Sequence, residues 1–263
     1  MTLPMFVIRA DMGTDIKSVE PLPDTVGSQY MLPKTISTHA LKAMRVGENE
    51  QLQLCDGHGL RILASVIDDS NGVVRIDDVM REVQPHIKLG LVQALAKGGR
   101  DEQAIEMATE IGVDHVIPWQ SQRSIVQWKG NKATKALSKW DDVLISATQQ
   151  SRRSFVPTLH PMMTTKQLGR WMVDTIHDGD IILVLHQDAT VTWSEFEQKI
   201  QTVEEGHTIW VVVGPEGGIT DDEIELFKNG GAYSCVIGSN ILRAASAGPV
   251  ALTLLSRYLG RYA

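Results

Sequence analysis

Cysteine is nearly absent: Cys55 and Cys235 are the only two in 263 residues, far apart and each on a predicted strand. They form neither a disulfide framework nor a metal cluster, and both read as reduced, buried thiols. Long apolar runs are missing too. No stretch approaches the ~18 consecutive apolar residues of a membrane-spanning helix. Met1 to Phe6 lack the basic and apolar regions of a secretion signal. The expectation is a soluble cytoplasmic protein with neither membrane nor metal as partner. Positive charge is in deficit, with 25 Lys and Arg against 32 Asp and Glu and a net charge of −7. That argues against a protein that coats nucleic acid indiscriminately. Neither the Gly-x-x-x-x-Gly-Lys-Ser/Thr of a triphosphate loop nor the Gly-x-Gly-x-x-Gly of a dinucleotide fold occurs at the candidate loops.

The charge that is present is unevenly placed. Residues 121–170 carry nine basic side chains against two acids, whereas residues 173–263 carry five against thirteen. A basic zone on an acidic chain fits a local polyanion contact, and a solvated helical face fits it as well. The length suffices for two domains, each with its own core. Residues 1–84 read as a small, mostly β module. Its strands are expected at Met5–Arg9, Gln51–Leu54, Leu60–Ile67 and Val73–Val79, with a hairpin turn at Asn71-Gly72 and a short helix at His39–Met44. Past Gln84-Pro85, residues 85–263 alternate strand and helix, the pattern of an α/β layer with parallel pairing. There the expectations are a strand to Ala94, a helix N-capped by Asp101 and a strand over Val113–Pro118. Helices follow at Asn131–Gln150 and Thr165–Val173, then a strand over Asp180–Leu185 and a capping box at Ser194/Glu197. Trp119, Trp128 and Trp140 could stack bases, but core packing is the commoner use of such residues.

The chain is organised around residues 207–259. A β-like run from Ile209 to Val213 feeds into Gly214-Pro215-Glu216-Gly217-Gly218, and Thr220/Glu223 has the spacing of a capping box. A second strand ends at Val236-Ile237. It passes through Gly238-Ser239-Asn240-Ile241-Leu242-Arg243 into a small-residue apolar helix from Ala244 to Leu259. Two glycine-bearing loops, each at a strand end and each leading into a helix, can face one pocket. They would supply backbone donors and close backbone approach, where open α/β sheets bind their ligands. The pattern does not name the ligand.

At these two loops the chain resembles the RsmE family of ribosomal RNA small subunit methyltransferases, within the SPOUT class. The likeness extends to Thr109-Glu110-Ile111-Gly112-Val113, Gln150-Ser151-Arg152-Arg153, His39 to Gly47 and Asp56-Gly57. It thus covers nearly the whole chain.

This resemblance implies a PUA-like β-barrel that helps hold RNA, over 1–84. It implies an α/β SPOUT methyltransferase domain with a deep C-terminal trefoil knot, over 85–263. The implied activity is S-adenosylmethionine-dependent methylation of N3 of one uridine in 16S ribosomal RNA, within the 30S subunit, by a homodimer. Carried onto this sequence, the cofactor would be held by Leu185, His186, Gly214, Glu216, Gly217, Gly218, Ile237, Gly238, Asn240, Ile241, Leu242 and Arg243. Arg243, Glu216 and His186 are the catalytic candidates. Arg9, Lys42, Arg45, Arg123, Arg152 and Arg153 are the candidates for RNA binding. The chain departs from the common family pattern at Ala244-Ala245-Ser246 and at Gln149. Other readings compatible with the residues are a SPOUT enzyme for another ribosomal or transfer RNA position, a non-catalytic assembly factor, a nucleotide enzyme on a conventional doubly wound fold, and a structural protein.

Overall fold

The computed structural model describes residues 3–9, 19–201 and 203–262. The chain divides into two compact units, one of Met1–Gln84 with Thr148–Val156, the other of Pro85–Ala147 with Pro157–Ala263. No described helix is long and apolar enough to cross a membrane.

In the first unit, strict alternation writes the sheet. The elements are β1 (Met5–Val7), β2 (Gln29–Met31), α1 (Lys34–Ser37), a π-helical segment over Thr38–Ala43, β3 (Gln51–Cys55), β4 (Leu60–Asp68) and β5 (Val73–Arg81). In β4 buried and half-buried residues alternate from Leu60 to Val66, the period of a strand with one covered face. The strands run β1-β3-β4-β5-β2, with β1 parallel to β3 and the other pairs antiparallel. Phe6, Leu52, Leu54, Ile62, Val66 and Ile76 form the centre of its core. Thr148–Val156 follow the long helix of the other unit in sequence but bond to this sheet. Val7 N donates to Gln149 Oε1 at 3.0 Å, Gly59 N to Ser154 O at 3.0 Å, and Val156 N to Gly57 O at 3.0 Å.

The second unit is a parallel sheet with helices on both faces. It contains β6 (Lys88–Ala94), α2 (Arg100–Ile111), β7 (His115–Gln120), α3 (Asn131–Ser151, its last turn in the first unit), β8 (Thr158–Leu159), β9 (Met163–Thr164), α4 (Thr165–His177), β10 (Ile181–Leu185), β11 (Val191–Thr192), α5 (Trp193–Ile200), β12 (Thr208–Val213), α6 (Asp221–Asn229), β13 (Tyr233–Val236) and α7 (Ala244–Tyr258). The order is β11-β13-β10-β12-β6-β7-β8, with β9 also on β7, and every pair is parallel. Strands β6 and β12 are buried almost end to end, as strands covered on both faces must be. Leu168 and Met172 of α4 and Ile224 and Phe227 of α6 share a core with Val92, Ile182 and Val212. Helix α7 packs on α2, β6 and β12. Its small residues serve that packing: a side chain at Gly248 would come within 2.9 Å of Leu91.

Two local expectations need correction, and the tryptophans take the commoner of their two readings. Helix α2 starts at Arg100 behind Gly99 in the left-handed region (φ 73°), so Asp101 lies inside the first turn. There it accepts the amides of Ala96 and Glu102. The capping box of α5 is Thr192/Glu195, while Glu197 instead accepts Trp193 Nε1 at 2.7 Å. Trp119, Trp128 and Trp140 are all buried, the last two edge to face, so none is exposed for stacking on a base.

At the amino edge of the sheet, His115 Nδ1 and His160 Nε2 lie 3.3 Å apart against Trp210. Burial, then the neighbouring His160, pushes the His115 imidazole down to about 4; burial also lowers that of His160. The unfolded chain protonates these rings near their ordinary value of about 6.5. Between those values the unfolded state binds more protons, so stability rises with pH. The melting temperature should therefore be flat above about pH 7 and fall as pH drops from about 6.5 toward 4. A thermal-melt series should show His115→Asn flattening that limb. An unchanged limb would remove His115 as its source.

Candidate active site at the carboxyl edge of the sheet

Adjacent strands β13, β10 and β12 end side by side, at Val236, Leu185 and Val213. Each then hands the chain to an irregular segment, so three loops converge at one edge. After β12, Gly218 N donates to Pro215 O at 2.9 Å and closes a turn in which Gly218 takes φ 73°. Gly214 is required by space: a Cβ there would lie 2.6 Å from Ile219. Thr220 and Glu223 complete their capping box and start α6. After β13, residues 237–243 cross to α7, where the Arg243 carbonyl accepts the amides of Ser246 and Ala247 at 2.8 and 2.9 Å.

The loops enclose a cavity of about 660 Å³. Leu185, His186, Gly214, Glu216, Gly217, Gly218, Ile237, Gly238, Asn240, Ile241, Leu242 and Arg243 all line it, so the structure brings together every residue that the sequence assigns to a cofactor. Buried Val213 and Cys235, with half-buried Leu185, Val236, Ile237 and Leu242, make one part of the wall apolar. Burial, and secondarily Glu195, pushes the Cys235 thiol up to about 11. It therefore stays protonated and serves as wall rather than nucleophile.

The charged residues of the wall are restrained to different degrees. Glu216 Oε1 accepts the Lys97 amide at 3.0 Å and Arg100 Nη1 at 3.2 Å, which ties the glycine loop to the start of α2. Arg123 Nη1 donates to Gly217 O at 2.9 Å. The Arg243 side chain has no hydrogen bond or ion pair among the described residues and lies exposed on the cavity wall. His186 is half-buried at the end of β10. Among the described residues there is no cluster of three or more groups able to hold a metal ion.

The six arginines and lysines proposed for RNA are divided between the two units. Arg123 belongs to the cavity wall of the second unit; Arg9, Lys42, Arg45, Arg152 and Arg153 belong to the first. Lys42 and Arg45 are exposed, and Arg9, Arg152 and Arg153 are half-buried. Sequence reading missed Arg100, Asp188 and Asp221 in the wall. For Arg100 a signal existed, the consecutive left-handed glycines Gly98 and Gly99 (φ 62° and 73°) that aim the start of α2. Asp188 and Asp221 carry none beyond their position next to segments already chosen.

Comparison with known proteins agrees with this architecture. The family model for the RNA methyltransferase domain matches residues 83–256. Ribosomal RNA small subunit methyltransferase E of Mycobacterium bovis is 35% identical over 237 residues, covering 89% of this chain and 88% of that protein. The Bacillus subtilis protein of the same name is 29% identical, covering 83% and 86%. Among solved structures, ribosomal RNA small subunit methyltransferase E from Neisseria gonorrhoeae bound to S-adenosyl methionine superposes with a TM-score of 0.80. It is 26% identical and covers 97% of this chain and 98% of that one. A Legionella pneumophila methyltransferase in complex with the same cofactor gives 0.80 at 25% identity, covering 98% of each chain. A parallel sheet with its cavity at the carboxyl edge, an amino-terminal accessory unit and relatedness along almost the whole length have one common explanation: the chain belongs to the RsmE family of SPOUT-class RNA methyltransferases and is an enzyme.

Proposed function

We propose that the carboxyl-edge cavity binds S-adenosylmethionine and that the enzyme methylates N3 of one uridine in 16S ribosomal RNA, in the cytoplasm and within the 30S particle. The observation that carries this reading is the convergence of three adjacent strand-end loops on a single cavity of about 660 Å³, together with the cofactor bound by the similar Neisseria structure. The wall suits such a ligand. Glycines 214, 217 and 218 let backbone approach closely, while Leu185, Ile237 and Leu242 can flank a flat base and the loop amides can meet its polar edge.

The cofactor, when bound, supplies a methyl group already activated by its sulfonium, so the reaction needs no metal. The protein's task is the acceptor. Uridine N3 carries a proton that must leave before or during attack, and the resulting charge spreads over N3 and its two neighbouring carbonyl oxygens. In this reading Arg243 stabilises that charge, and His186 is the candidate to accept the proton. Glu216 orders the glycine loop through Lys97 and Arg100. The uridine must be single-stranded or turned out of its helix to reach the cavity.

The reading extends to the rest of the chain. The first unit acts as a PUA-like barrel presenting RNA through Arg9, Lys42, Arg45, Arg152 and Arg153, chiefly by phosphate contacts. The crossing from β13 to α7, which ends on β6 and β12, is the path expected of the trefoil knot, a rare topology. A homodimer completes it. The small residues at the start of α7 are already spent on packing within the chain, as Gly248 against Leu91 illustrates.

The test is nucleoside analysis of 16S ribosomal RNA from cells lacking the gene, with methylation in vitro of naked RNA and of 30S particles. N3-methyluridine should disappear, return with the wild-type gene, and form in vitro on 30S particles. Loss of a different methylated nucleoside would move the substrate assignment elsewhere.

A further inference from the structure

The turn after β7 carries chemistry that the proposed reaction leaves unused. Ser121 and Ser124 hydroxyls lie 3.0 Å apart, and Ser124 Oγ also donates to Leu95 O at 3.1 Å. The amide of Gln122 donates to Glu223 Oε1 at 2.8 Å. Glu223 is fully buried. The same oxygen accepts Thr165 Oγ1 at 2.7 Å, while Oε2 accepts the amide and hydroxyl of Thr220 at 3.0 and 3.1 Å. A buried carboxylate saturated by four donors is a fixed point for the segments it joins.

Arg123 stands between those two anchored residues, in the wall of the cavity. Its Nη1 bond to Gly217 O directs the guanidinium along the glycine loop. A side chain at Gly217 would press to 3.1 Å from Arg123 Cβ, so the glycine is what permits the approach. One hydrogen bond occupies one of five N–H groups, and the others have no partner among the described residues. Arg100, also in the wall, differs because Glu216 neutralises it.

We propose that Arg123 is a second substrate-contacting cation, its free guanidinium edge binding a carbonyl oxygen of the acceptor base, with Glu223 as the residue that positions it. The proposal rests on the uridine-N3 reading above. N3 of uracil lies between two carbonyl oxygens, and the cavity offers two arginines with unpartnered N–H groups among the described residues, reaching it from different loops. Arg243 comes from the loop after β13 and Arg123 from the turn after β7, with β10, β12 and β6 between those strands. A cation on each oxygen lowers the cost of removing the proton between them. Arg123 is exposed on that wall, so a phosphate contact is the alternative that the test separates.

The test uses the full-length protein, S-adenosylmethionine titrated by calorimetry, and 30S subunits from cells lacking the gene. Arg123→Ala should keep its melting temperature, bind the cofactor within about twofold of wild type and bind 30S subunits within about threefold. Its kcat should fall about 10²-fold, the usual effect of removing one donor to a developing anion. Its pH–rate profile should move to higher pH, because proton loss from N3 is no longer assisted. Arg123→Lys should recover part of the rate, keeping charge without the planar fork. Glu223→Gln should lie between wild type and Arg123→Ala, with the same direction of pH shift. A parallel loss of cofactor affinity would assign Arg123 to the cofactor instead. A loss confined to 30S affinity, with kcat kept and a weaker salt dependence, would make it a phosphate contact. Either result overturns the proposal while the uridine-N3 reading stands; a wild-type enzyme that forms no N3-methyluridine overturns both.

Discussion

Arg243→Ala should lower methyl transfer by about 10²- to 10³-fold, the cost of removing a preorganised charge aimed at a developing anion. Cofactor binding and melting temperature should change little. The geometry explains the separation. The side chain is exposed on the cavity wall and braces nothing among the described residues. Its backbone does the structural work, through the carbonyl that accepts the first amides of α7. Alanine keeps that carbonyl. The contrasting variant is Arg100→Ala, which releases Glu216 and loosens the glycine loop. It should weaken cofactor binding as well as turnover. The decisive measurement pairs calorimetric titration of S-adenosylmethionine with single-turnover methylation of 30S subunits. If Arg243→Ala transfers methyl at the wild-type rate, the charge on the acceptor is met by another group, and Arg123 is next in line. Equal losses in cofactor affinity and rate would instead place Arg243 on the cofactor.

The contrast between these arginines shows what a linear sequence can and cannot disclose. The loops at 214–218 and 237–243 are legible because short-range rules write them: a β-like run, glycine at its end, then a helix start, which in the first case carries the Thr220/Glu223 capping box. Thr220/Glu223 needs only four consecutive residues to be recognised. That same rule misled at α5, where Thr192/Glu195 and Ser194/Glu197 both satisfy it. The choice is made at long range, by pairing of Val191 and Thr192 with Cys235 and Val236, which holds Thr192 extended so that the helix starts behind it. The membership of Thr148–Val156 in the first unit is likewise decided at long range. Local periodicity continues α3 through Ser151, while the bonds to Val7, Gly57 and Gly59 lie far away in sequence. Locally, Glu223 reads as half of a cap, which it is. That its other oxygen anchors the Arg123 turn depends on where β7, α4 and α6 meet, which no local window contains.

Trp210→Ala is the substitution expected to harm the fold most, by about 3–5 kcal/mol, the usual range for truncating a buried aromatic residue to alanine. Trp210 is 4% exposed at the amino edge of the sheet. Its ring meets Trp171 edge to face at 4.8 Å between centroids and packs on His115 and His160. It lies over Gly90, its register partner on β6, where a Cβ would be only 2.1 Å from the indole. Nε1 donates to Asp180 Oδ2 at 2.8 Å, and Asp180 Oδ1 accepts the amide of Thr208. Alanine would therefore open a cavity and strip a half-buried carboxylate of a donor at once. Phenylalanine, which keeps most of the ring and loses the donor, should cost distinctly less. Gly90→Ala should cost about 1–3 kcal/mol from the other side of the same contact, by overpacking. Urea denaturation of the three variants checks the order. A cost below about 1 kcal/mol for Trp210→Ala would mean that the amino edge collapses around the loss. Trp210 is separated from Gly214 by about four residues of strand, or roughly 13 Å. Cofactor affinity measured well below the melting temperature should thus remain near wild type, so that stability and catalysis can be lost independently at opposite edges of one sheet.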